Sequence, residues 1–120
     1  MAATTTLFDI PAIRGLVVNA DTASTTLVGA DSGKMFLHTY TTNGTYTLPA
    51  LAAGKGKVFW FMNANTTSTL AITAPSDCMI GSDDTYTTLT SDAVAGSCCM
   101  VVCDGTNYFC FEFSGTWSGS

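Results

Sequence analysis

The chain has 120 residues, of which 47% are apolar and only 11% charged, and its formal net charge is −5. This length predicts a single domain with one hydrophobic core. Four basic residues against nine acidic ones cannot neutralise a run of phosphates, so the composition disfavours a nucleic-acid partner.

The first residues lack the basic and long apolar regions of a secretory signal, so we expect synthesis in the cytoplasm. No stretch approaches the roughly 18 apolar residues of a membrane span, which disfavours a membrane partner. The low charged fraction instead favours a protein that works docked in an assembly.

In residues 1–14 the apolar side chains follow neither the helical nor the strand period, although they are spread through the segment. A free tail is usually more polar, so we expect an extended N-terminal arm over residues 1–14 and a domain over residues 15–120. Two interpretations stay open, because the arm docks either on a neighbouring protein or on its own domain. The candidate contact residues of the arm are Leu7, Phe8, Ile10, Ile13 and Arg14.

From residue 16 onward, short runs rich in β-branched and aromatic residues alternate with turn signals. This pattern predicts an all-β sandwich or barrel. No window keeps helical spacing for more than two turns, and threonine-rich runs resist helix formation. The predicted strands cover residues 16–19, 25–28, 34–40, 45–48, 57–63, 69–73, 78–80, 85–90, 97–103 and 108–113.

The segment 45–63 predicts a strand, a corner and a second strand. Pro49 closes the first strand because proline cannot donate to a ladder, and the glycines of residues 50–56 permit a tight re-entry. Lys55 and Lys57 lie in this corner. Because the corner enters a strand rather than a helix, it does not predict a phosphate site. We expect both lysines to meet an acidic neighbour.

The clearest local signal is a hairpin at the C-terminal end, with Asp104 and Gly105 at its turn. Both faces of residues 97–103 are apolar, so we expect this strand to be buried on both sides. Trp117 follows in a Ser/Gly-rich tail. We favour an indole packed on its own domain over one anchored in a partner's pocket.

Five cysteines at irregular spacings indicate buried thiols rather than a disulfide framework or a zinc site. If the chain is oxidised, the hairpin register favours Cys99 and Cys110 as the pair. No catalytic constellation is recognisable around His38, and Asp83 and Asp84 lack the acidic partners of a calcium loop. We therefore expect no enzymatic activity, no cofactor and no metal.

Several motifs resemble small virion proteins of tailed bacteriophages. They are a strand ending Thr47-Leu48-Pro49, a small-residue corner over 50–56, an aromatic strand over 58–64, a strand end Ile72-Thr73-Ala74-Pro75, a hairpin over 104–108 and an upstream element over 32–36. In the hairpin, Tyr108 stands where these proteins usually have tryptophan.

The resemblance covers about residues 31–117 and is closest to the capsid cement, or decoration, proteins. It implies a jelly-roll-like antiparallel β-sandwich, a homotrimer and a position on the capsid exterior, bound to the major capsid protein. Similar motifs occur in phage tail-fibre and receptor-binding modules. As such a carbohydrate-binding module, the chain would use Tyr86, Asp83 and Asp84 as its sugar site. The resemblance transfers no catalytic residues. Under it, the arm, the two corner lysines and Trp117 become candidate capsid or trimer contacts.

Overall fold

The computed structural model describes residues 13–81 and 84–120, and it is all-β with two sheets. The seven-stranded sheet has the order β1-β3-β5-β10-β11-β7-β8, and the five-stranded sheet has the order β12-β9-β6-β4-β2. The strands are β1 (Gly15–Asn19), β2 (Ser24–Thr26), β3 (Lys34–His38), β4 (Gly44–Thr47), β5 (Val58–Asn63), β6 (Leu70–Thr73), β7 (Met79–Gly81), β8 (Asp84–Tyr86), β9 (Thr88–Ser91), β10 (Ser97–Cys103), β11 (Tyr108–Ser114) and β12 (Trp117–Gly119).

The first half of the chain winds as a β-solenoid. Strands β1, β3 and β5 lie side by side in parallel in one sheet, and β2, β4 and β6 do the same in the other. The chain therefore crosses from one sheet to the other after every strand, and each crossing pair of strands forms one coil stacked on the last.

The second half closes the two sheets with mainly antiparallel strands. Strand β10 pairs with β5 on one side and with β11 on the other, and β9 lies between β6 and β12. Strand β7 adds to β11 in parallel and carries β8 at the edge.

The prediction of an all-β domain is confirmed, but that of an antiparallel jelly roll is wrong, because the first six strands pair in parallel. Alternating apolar residues fix which face of a strand is buried and leave open which strand lies beside it. Connections that cross to the opposite sheet produce parallel neighbours, whereas hairpins would have produced antiparallel ones.

Every predicted strand is present, with bounds that differ by up to two residues, and there are two larger differences. The predicted strand 85–90 is divided at Thr87 into β8 and β9, which belong to different sheets. The Ser/Gly-rich tail contains a strand, β12, that the sequence did not indicate. No helix in the described part of the chain is long and apolar enough to cross a membrane.

The corner between β4 and β5 contains one helical turn, α1 (Leu51–Gly54). The Tyr108 hydroxyl donates to the Pro49 carbonyl at 2.6 Å and so ties β11 to this corner. A Cβ on Gly54 would collide with the same hydroxyl, so the corner requires glycine there. Gly56 adopts φ +75°, as the tight re-entry requires.

The core lies between the two sheets and is built from alternate residues of nearly every strand. Phe36, Tyr46 and Phe61 form its aromatic centre, with ring centroids 5.6 to 5.9 Å apart. Tilted and offset pairs at such distances add to the free energy gained by burial. This core uses only the inward face of each sheet, so the outward faces are free to serve other purposes.

Candidate docking surface

The outward face of the seven-stranded sheet is apolar from β1 to β7. In β5, Phe59 and Phe61 point into the core, and the alternate residues point outward. The same alternation holds in β10 and β7, and the register places Met35, which is buried, and Leu37 of β3 on the outward side. We call this surface the apolar face; it consists of Leu16, Val18, Met35, Leu37, Val58, Trp60, Met62, Ile80, Cys98, Met100, Val102, Phe109, Phe111 and Phe113.

Strand register joins these side chains into continuous rows. The central row runs across five strands through Leu16, Met35, Trp60, Met100 and Phe111. Side chains in adjacent strands at the same register lie side by side. The apolar face is therefore one contiguous patch, and none of its residues carries a charge.

Two aromatic residues lie together on this face. The rings of Trp60 and Phe113 are stacked with centroids 5.8 Å apart, and Phe113 is 57% exposed. Trp60 Nε1 is the one buried side-chain nitrogen or oxygen of the described residues without a hydrogen-bond partner. A buried donor without an acceptor costs about 1–3 kcal/mol, so this site is not optimised for the stability of the isolated chain.

The outward face of the five-stranded sheet has the opposite chemistry. One row runs through Thr26, Thr47, Thr73 and Thr88, where the hydroxyls of the last two lie 3.2 Å apart. The next row is made of serine, threonine and alanine. Hydroxyls keep this face hydrated, so the sandwich has one polar and one apolar outer surface.

The sequence-predicted contact residues that the structure describes do not belong to the apolar face. Leu7, Phe8 and Ile10, with the rest of residues 1–12, lie outside the described residues. Ile13 and Arg14 are exposed just before β1, where the Arg14 amide donates to the Gly33 carbonyl at 2.6 Å.

The corner lysines are not part of the apolar face, although Lys57 directly precedes its residue Val58. Lys55 is exposed and its stem lies against Gly105, where an added Cβ would touch it. Lys57 is half-buried and lies beside Gly29. Trp117 is buried in the core, and its Nε1 donates to the Ser114 carbonyl at 3.0 Å. The interpretation of Trp117 as packed on its own domain is confirmed, so its indole does not anchor a partner.

His38 belongs to a buried polar network. Its Nε2 lies 2.9 Å from the Thr42 carbonyl and its Nδ1 3.2 Å from the Tyr46 hydroxyl. A carbonyl only accepts, so Nε2 carries a proton and Nδ1 accepts from Tyr46 in the neutral ring. The Asn19 amide donates to the same hydroxyl at 3.1 Å. Both ring nitrogens of His38 therefore have hydrogen-bond partners, which is the arrangement of a structural histidine.

All five cysteines are free thiols. The expectation that Cys99 and Cys110 lie directly opposite each other is wrong, because Cys99 pairs with Glu112 and Val101 with Cys110. Burial, followed by the neighbouring Cys110, raises the pKa of Cys99 well above that of a free thiol. The prediction that the strand 97–103 is buried on both sides is only half right, since its outward residues are half-buried.

The described residues, with Asp83 outside them, contain no group of three or more metal-ligating side chains. No pocket is present in the structure of residues 13–81 and 84–120. Neither a protein-family model nor a curated protein matches the chain. The apolar face is therefore the feature of the structure that calls for a functional explanation.

The sequence contained a signal for this face, which was recognised for the strand 97–103 alone. Strands 58–63, 97–103 and 108–113 each carry apolar residues on both alternating faces. Adjacent strands that are apolar on both sides predict a sheet covered on both sides. The structure covers only one side of this sheet.

Proposed function

We propose that the protein is a structural virion protein, a capsid cement or decoration protein. It binds the outer surface of the shell of major capsid protein as a homotrimer, after assembly in the host cytoplasm. The motifs over residues 31–117 support this proposal, since they resemble those of phage virion proteins.

The single structural observation behind the proposal is the apolar face. A contiguous apolar patch that spans most of a sheet marks a surface made to be covered by another protein. A protein built around such a surface acts by assembly, and the reinforcement of a shell is an assembly function.

Multivalent attachment explains how a small domain can reinforce a shell. A trimer that bridges several shell subunits multiplies modest contacts through effective concentration. Closed threefold symmetry also lets one short chain present three identical arms. In this proposal residues 1–14 reach the capsid subunits.

The alternative, a carbohydrate-binding tail module, depended on Tyr86, Asp83 and Asp84 as an exposed sugar site. The Tyr86 hydroxyl donates to the Gly81 carbonyl at 3.1 Å, and the ring lies against Gly119. A half-buried ring packed in this way offers little stacking surface, so this observation disfavours the alternative.

The test is the copy number and position of the protein in purified particles. Quantitative mass spectrometry is expected to find on the order of hundreds of copies per particle, as a symmetric shell requires. A reconstruction should then place its density on the outside of the capsid. A handful of copies at the tail tip, or none in the particle, would contradict the proposal.

A further inference from the structure

Most of the exposed large apolar side chains of the described residues belong to the apolar face. They include Leu16 and Val18 at one side of it and Phe111 and Phe113 towards the other. With the half-buried residues between them, the accessible area of the face is on the order of 800 Å², about what one partner contributes to a specific interface. An area of this size needs an occupant.

We propose that the apolar face is covered by a second copy of this chain, so that copies of the sandwich associate through their seven-stranded sheets. The inference rests on the proposed function only for the number of copies, since the association itself needs no capsid. It assigns the self-association surface to one face of one sheet.

Electrostatics favour a copy of this chain as the occupant. Two apolar faces meet without stripping water from any charge, because neither contributes one. The net charge of −5 lies elsewhere on the chain, so the acidic residues of associated copies stay in water. A partner of different sequence would have to supply an equally large apolar surface of its own.

Geometry supports the same occupant. The central row of the apolar face runs across five strands, a register shift lies beside it at Cys98 and Cys99, and no pocket is present in the described residues for a loop or helix to fill. Side chains of this size can interdigitate between apolar sheet faces, whether two faces stack about 10 Å apart in a dimer or three meet around the axis of a trimer. The stacked rings of Trp60 and Phe113 would lie inside such a layer.

Two other occupants predict different behaviour in solution. If residues 1–12 of the same chain cover the face, the full chain is a monomer. If the shell protein covers it, the isolated chain is also a monomer and the face is filled only on the particle. Self-association of the purified full chain separates the proposal from both.

The test places a lysine on the face and a matched lysine off it. Val18→Lys and Phe111→Lys change face residues that are 53% and 48% exposed. Val94→Lys changes a residue that is 50% exposed in the loop between β9 and β10. We expect the isolated chain to tolerate all three substitutions, because none of these side chains is buried. Circular dichroism and thermal melting verify that each variant folds.

Light scattering after size exclusion measures the oligomer at several concentrations. We expect an oligomer for the wild type and for Val94→Lys. Phe111→Lys should weaken association roughly 100-fold or more, because a lysine inside an apolar layer is an unpaired buried charge. Val18→Lys should weaken it less, since at the edge strand the ammonium group can reach water. If Phe111→Lys does not fold, Val18→Lys carries the test.

The outcomes separate this inference from the proposed function. A wild-type monomer, or variants on the face that associate as Val94→Lys does, would overturn the inference. A trimer that is disrupted by the face variants but absent from virions would support the inference and contradict the capsid role. A disrupted dimer would support the face as the interface and contradict the trimer.

Discussion

Gly44 and His38 show how a single residue type is fixed by its neighbour. A Cβ on Gly44 would fall within the His38 ring, which is held in place by Thr42 and Tyr46. The ring cannot move aside without breaking hydrogen bonds in the core. Glycine at position 44 is therefore a packing requirement.

We predict that Gly44→Ala lowers the free energy of unfolding by about 1–3 kcal/mol, the cost of overpacking a core. Denaturant unfolding measures the change. In a His38→Ala background the same substitution should cost clearly less, because the collision is gone. Gly15→Ala is the control, since the nearest atom to its added Cβ is 3.9 Å away. Equal costs for Gly44→Ala in both backgrounds would contradict the explanation.

A second residue-scale prediction concerns alkaline pH. Burial, followed by the nearby Glu112 and Cys78, raises the pKa of Cys110 from 9.0 to about 12. Since the unfolded thiol loses its proton first, this contribution to stability is complete below about pH 9 and is lost as the pH rises from 9 towards 12.

Cys110→Ala should therefore flatten the fall of unfolding free energy over that pH range. At neutral pH the variant is expected to be somewhat less stable than the wild type, because the removed sulfur leaves a small void. Urea unfolding at a series of pH values provides the measurement. Parallel curves for the two proteins would show that Cys110 does not contribute to the alkaline loss.

At the scale of elements, the corner before β5 is held from across the sheet. The hydrogen bond from the Tyr108 hydroxyl to the Pro49 carbonyl joins the first residue of β11 to the chain just before α1. Pro49 is buried, so water cannot replace the Tyr108 hydroxyl as the hydrogen-bond donor to its carbonyl.

We predict that Tyr108→Phe lowers the free energy of unfolding by about 1–3 kcal/mol. Tyr40→Phe is the matched control, because the Tyr40 hydroxyl takes part in none of the hydrogen bonds described for residues 13–81 and 84–120, and its removal should change little. Thermal unfolding of both variants measures the difference. A Tyr40→Phe variant as destabilised as Tyr108→Phe would contradict this account of the corner.

The sequence predicted those elements whose signals lie in neighbouring residues, and it missed those that depend on residues distant in sequence. The strand 97–103 was predicted with its observed bounds, because a nearly continuous apolar run lies between Gly96 and the turn at Asp104. The break at Thr87 was missed because its cause is distant in sequence, a bond from the Thr87 amide to the Ser120 carbonyl at 3.0 Å. Strand β12 was missed for the same reason, since it forms by pairing with β9, which is distant in sequence.

The parallel pairing was harder to predict from the sequence than any strand boundary. Pairing direction depends on whether a connection turns back or crosses to the other sheet, and turn residues such as Asn43 and Gly44 are compatible with both. The candidate surface was predictable in part. The apolar residues on both sides of β5, β10 and β11 were visible, whereas their union into one face required the strand order.

At the scale of the whole molecule, the arm and the sandwich are expected to have separate roles. Arg14 is joined to Gly33 through its backbone, so the described domain begins near this point. Deleting residues 1–12 removes none of the residues that form this contact or the apolar face.

We predict that the deletion variant folds and self-associates as the full chain does but no longer occupies capsids. Light scattering tests the first part, and quantification of the protein on particles tests the second. Val94→Lys, a charge change at an exposed residue that belongs to neither the arm nor the apolar face, serves as the comparison. Unchanged capsid occupancy after the deletion would rule out the arm as the capsid contact.

The position of β5 and β6 has a consequence for how the molecule melts. Strand β5 pairs with β3 of the solenoid and with β10 of the closing half, and β6 pairs in the same way with β4 and β9. The two halves can separate only if the pairing of β5 with β10 and that of β6 with β9 break at once, one in each sheet. The two halves, different as their pairing is, should therefore unfold as one cooperative unit, with a single transition and no half-melted intermediate.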